Sequence, residues 1–83
     1  MTKFISKSSL ILRNAEKLST SGDLKTSLSR YKEAYNELKR ELLNLNKFEE
    51  SYDKDMTSIV EKMSQVKIKI NVLEEAINEK NEM

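Results

Sequence analysis

Cysteine, histidine, tryptophan and proline are all missing from this 83-residue chain, and glycine occurs once. The lack of Cys excludes disulfides and thiolate chemistry and accords with a reducing compartment. With His gone as well, the usual general base and the usual transition-metal ligands are absent, so only carboxylates, hydroxyls and amines remain for chemistry. Most enzyme classes fall away. The longest apolar run is Leu10-Ile11-Leu12, far below the about 7–15 residues of a signal-peptide core or the about 20 of a membrane span. A soluble, cytoplasmic chain with no integral membrane segment is expected. A length of 83 residues allows one small domain with a modest core, and a deep substrate cavity is not expected.

Charge is abundant but balanced. Fifteen Lys and Arg against fourteen Asp and Glu leave a net charge of +1, which supplies no field for phosphate backbones or anionic lipid. Nucleic acid is therefore not an expected partner. The distribution is uneven, since Lys3, Lys7, Arg13 and Lys17 make the first 20 residues mildly basic, while Glu74, Glu75, Glu79 and Glu82 make the last ten mildly acidic.

With so little Gly and Pro, breaks between helices must be read from Asn, Asp, Ser and Thr clusters. In Ser19-Thr20-Ser21-Gly22-Asp23, Gly22 suits the left-handed residue that ends a helix and Asp23 suits the cap of the next. Before this break Phe4, Ser8, Ile11, Ala15 and Leu18 step by four and three, with Ile5 and Leu12 alongside, and predict helix one over about 3–19. After it Leu24, Leu28, Tyr31, Tyr35, Leu38, Leu42 and Leu45 predict helix two over about 24–45. Met56, Ile59, Met63, Val66, Ile70, Leu73 and Ile77 predict helix three over about 55–80, with Val60, Ile68, Val72 and Ala76 as a second apolar row. No strand-type alternation occurs.

Asn44–Asn46 and Ser51–Asp55 suggest a loose connection around Lys47–Asp53, and Asn46 with Glu49 reads as a capping box for a new helix. The rival is continuity. Leu45 to Tyr52 is seven residues and Tyr52 to Met56 is four, so residues 24–77 also fit one helix about 80 Å long that dimerises as a coiled coil. Weak helix formers at Asn44, Asn46, Ser51, Asp53 and Asp55 oppose that continuity. The second row on helix three offers it a seat against helix one as well as helix two. The expected fold is all-α: one domain over residues 1–83, an antiparallel three-helix bundle, with a helical hairpin or long coiled coil as the alternative.

The stretch Ala15–Ala34 resembles the helix-turn-helix of MIT domains, the microtubule-interacting and trafficking modules, which share their packing logic with tetratricopeptide repeats. Ala15, Gly22, Ser27-Leu28, Tyr31 and Ala34 match that pattern without a gap, and Leu24 stands where an aromatic is usual. The small residues at 15, 27 and 34 fit a close approach of two antiparallel helices, with Tyr31 filling the space between them. The match covers about 25 residues; in helix three the nearest segment, Ile70–Ile77, has neither the Arg nor the Tyr of the family pattern. The resemblance implies a protein-binding module of endosomal or autophagic membrane trafficking, stationed peripherally at endosomal membranes. Such modules hold short helical or extended tail motifs, including those of ESCRT-III subunits, in grooves along helix three.

Candidate chemistry is thin. Asp53-Lys54-Asp55 begins like a calcium loop, but Ser58 occupies the Gly position and Ser64 the bidentate Glu position, so helix capping is the better account and neither a metal nor a cofactor is expected. Glu49-Glu50 and Glu74-Glu75 are sequence neighbours that diverge by about 100° on a helix. No enzyme is expected. Tyr35, Leu43, Val60, Ile68 and Val72 form the candidate partner-binding set, because aliphatic rows left exposed on small domains accept amphipathic helices. Burial of that row against helix one is the competing expectation. The alternative function is a structural coiled-coil subunit or small helical co-chaperone, stable only within an oligomer.

Overall fold

A computed structural model describes residues 6–81. Each helix boundary follows from local hydrogen-bond chemistry. Ser6, in extended backbone, accepts the Ser9 amide on its Oγ at 3.2 Å and caps α1, Lys7–Thr20. The helix ends as Gly22 turns to φ +92°, its amide bonding to Ser19 O at 3.2 Å while Asp23 N–H reaches back to Leu18 O at 3.0 Å. These two bonds form a Schellman motif that only a residue tolerant of positive φ closes without strain. The Asp23 carboxylate then accepts the Thr26 amide at 3.3 Å and opens α2, Leu24–Leu43.

The second break departs from the sequence expectation. The α2 helix stops at Leu43 instead of Leu45, and α3 runs Tyr52–Asn81 instead of starting near residue 55. Asn46 does not cap α3. Its side-chain oxygen accepts the Phe48 amide at 3.0 Å and its carbonyl accepts Glu49 N–H at 3.1 Å, a tight local turn that consumes the groups a capping box needs. Helix three begins one turn later, where Ser51 O accepts Asp55 N–H at 2.8 Å. Asp53 and Asp55 sit in its first turn, where negative charge complements the helix dipole. Because residues 44–51 turn the chain back, the single long helix over 24–77 does not form. The start of helix one at residues 3–5, including Phe4 and Ile5, lies outside the described residues.

The fold is all-α, an antiparallel three-helix bundle with α2 between its two neighbours. Small residues set the α1–α2 spacing: Ala15, Ser27 and Ala34 have no exposed surface and Ser8 has 1%. Ser27 Oγ donates to the Ala15 carbonyl across the interface at 2.7 Å, so this buried hydroxyl is satisfied. Tyr31, Leu38, Val66 and Leu73 complete the core, with Leu12, Leu28, Ile59, Met63 and Ile70 packed at its margin.

The α2 helix packs on both α1 and α3, yet no Cα of α1 comes within 8 Å of one in α3 among the described residues. Helices in contact have axes about 8–10 Å apart, and three in a row span about 25 Å. The Cα envelope of 53 × 26 × 14 Å fits that arrangement, a bent layer and not a closed triangle. The radius of gyration, 14.8 Å, likewise exceeds the about 12 Å of a compact chain this long. The second row of α3 therefore does not pack on α1. At 100° per residue Val60 and Val72 lie about 120° from Val66 to opposite sides, and Ile68 about 160°. All three are exposed, by 45%, 55% and 62%.

Candidate functional site

The open side of the layer makes a groove with α1 and α3 as walls and α2 as floor. Its upper part is a solvent-open hollow of about 100 Å³ lined by Leu12 and Glu16 from α1, Tyr31 from α2, and Lys62, Gln65, Val66 and Lys69 from α3. Leu12, Tyr31 and Val66 give it an apolar base; Glu16 on one wall faces Lys62 and Lys69 on the other. Burial pushes the Tyr31 phenol above its ordinary pKa of 10.0, and the nearby Glu16 carboxylate raises it further. A neutral ring thus floors the hollow at physiological pH.

A second hollow, of about 550 Å³ and also open to solvent, lies at the end where α1 and α3 begin. Ser6, Glu41, Asn44, Leu45, Asp55, Ser58, Ile59 and Lys62 line it. Lys62 lines both hollows, which follow one another as a channel along α3 from Asp55 to Lys69 with Lys62 at their junction. That run is about 21 Å of helix, enough to seat four turns of a peptide helix or six extended residues.

The predicted partner-binding residues do not come together on one surface. Tyr35 is half-buried against the core, with Lys39 Nζ 5.9 Å from its ring centroid. Leu43 stands 83% exposed in the last turn of α2. Val60 lies on the side of α3 away from the groove and Ile68 on its outer edge, whereas Val72, seven residues from Gln65, shares that groove residue's face one turn beyond Lys69. The groove residues Leu12, Glu16, Gln65 and Glu41 were not singled out by sequence, nor was Phe48, which is 97% exposed between α2 and α3. The only legible signal for the groove was the i, i+4 spacing of Leu12 with Glu16 and of Gln65 with Lys69 beside the buried stripes.

No group of three or more potential metal-ligating side chains exists among the described residues. Asp55 instead accepts Ser51 Oγ at 2.9 Å, and the Asp53 carbonyl accepts Thr57 Oγ1 at 2.9 Å. Among the described residues no helix is long and apolar enough to cross a membrane. No protein-family model, curated protein or solved structure matches the chain.

Proposed function

We propose that this chain is a non-enzymatic protein-interaction module that holds a short helical or extended segment of a partner protein in the groove between α1 and α3. The observation that carries the reading is the separation of α1 from α3: between them lies a concave, solvent-open surface where half-buried Leu12 and the edges of the buried Tyr31 and Val66 form an apolar base. Burying a few aliphatic side chains there, with charged contacts at the rim, gives an affinity of about micromolar order. The resemblance of Ala15–Ala34 to MIT domains supports a place in cytoplasmic membrane trafficking, peripheral to endosomal membranes and in endosomal or autophagic transport.

The reading is tested with a peptide selected against the chain from a displayed random library, its affinity measured by calorimetry. Gln65→Trp, which fills the groove from an exposed position on α3, is expected to weaken binding at least about ten-fold. Val60→Asp, at an exposed position about 140° around α3 from Gln65, is expected to leave both helicity and binding unchanged. The reverse pattern would overturn the groove assignment.

A second reading has its own observation, the exposed row of Val60, Ile68 and Val72. Such a stripe suits a helix-to-helix contact within an oligomer, as in a coiled-coil subunit or small helical co-chaperone. Sedimentation distinguishes the two: a monomer of 9.7 kDa supports the module, and a concentration-dependent dimer supports the oligomer.

A further inference from the structure

Glu41 presents an anomaly at the lower end of the groove. It lies on α2 between the buried Leu38 and the half-buried Leu42 and Leu45, and its Oε2 is shielded from solvent with no hydrogen-bond partner. A buried carboxylate oxygen without a donor is costly, and native folds usually satisfy such groups. The one cation in the lining is Lys62, and it forms no ion pair with Glu41. Asp55 adds a second negative charge to the same hollow. The upper hollow differs in sign, with Lys62 and Lys69 against Glu16. With Lys62 shared between them, the lower hollow (Glu41, Asp55, Lys62) carries a net charge of −1 and the upper one (Glu16, Lys62, Lys69) of +1, and each also has apolar lining.

We infer that the occupant of this groove is a peptide segment carrying a Lys or Arg at one end, aliphatic residues at its centre and an acidic residue at the other, seated with its cation against Glu41. This rests on the groove reading above and adds the partner's chemistry and direction. An Arg or Lys there pairs with the Glu41 and Asp55 carboxylates that line the lower hollow, and a charge-assisted bond of this kind is stronger than a neutral one. The reversed orientation would bring like charges together at both ends, which fixes polarity more than it adds affinity.

The test is selection of 14-residue peptides from a displayed random library against the full chain, with binders located by amide chemical shifts. Binders in the groove are expected to be enriched in Lys or Arg at one end. Replacing that residue by Gln should weaken binding about ten-fold or more in the native chain and hardly at all in Glu41→Gln. A nitroxide on the cationic end should broaden amides around Asn44 and Ser58, not those around Glu16 and Lys69. Because Glu41→Gln changes folding stability as well, the peptide-side replacement alone decides should that variant not fold. Groove binders that lack a basic residue, or that seat it beside Lys69, overturn this inference and leave the groove standing. Binders found only elsewhere, or none at all, overturn the groove itself.

Discussion

Substitution at Ser27 tests the closest contact in the molecule. Its side chain has no exposed surface, and its hydroxyl donates to the Ala15 carbonyl at 2.7 Å. Ser27→Ala removes the bond but keeps the volume. The Ala15 carbonyl retains its helical partner, so nothing buried is orphaned and the cost is about 0.5–1.5 kcal/mol. Ser27→Leu has the same loss and forces two extra heavy atoms between backbones held together by Ala15, Ser8 and Ala34, adding about 1–3 kcal/mol of overpacking. Unfolding entropy near 60 °C is about 0.17 kcal/mol per kelvin for a chain of this length. Thermal denaturation followed by circular dichroism should thus show a loss of about 3–9 °C for the Ala variant and about 9–26 °C for the Leu variant. Total stability for such a chain is about 4–12 kcal/mol, so the Leu variant approaches unfolding at room temperature. Refutation is simple: a Leu variant that melts within two degrees of the parent would mean that α1 and α2 are not in close contact at this point.

Other outcomes follow from the same geometry. Gly22→Ala should cost about 1–2 kcal/mol, measured by urea denaturation, because φ is +92° while a new Cβ meets nothing within 4 Å, so the strain is wholly in the backbone. Leu38→Ala, at 1% exposure, should cost about 2–5 kcal/mol in the same assay. The raised pKa of Tyr31 means that the folded chain holds this phenolic proton more tightly than the unfolded one. Its contribution to stability is complete below the unfolded pKa near 10 and is lost as pH rises through the folded value. Denaturation midpoints between pH 9 and pH 12 should therefore fall more steeply for the parent than for Tyr31→Phe.

How much was legible depended on the range over which the deciding contacts act. Gly22 and Asp23 declared their turn because the Schellman bonds and the cap lie within a few residues. The small positions 15, 27 and 34 and the ring at 31 were legible too, since a close helix crossing imposes residue size at fixed spacing. Asn46 was misread as a cap because its side chain has two local choices, and the turn to Phe48 won over the box with Glu49. The destination of Val60, Ile68 and Val72 was not legible at all. It depends on how far α3 swings from α1, which is decided by the packing of both on α2 and leaves no period in either sequence. The groove is the product of that swing, so its residues could not be chosen by pattern.

The most direct measurement is an amide chemical-shift titration of the isotope-labelled chain with a library-selected peptide. The account predicts that the largest changes fall on Leu12, Glu16, Gln65, Val66 and Lys69, with Glu41 and Asn44 at the lower end of the channel. Changes confined to Val60 and Ile68, or to the loop around Phe48, would contradict it.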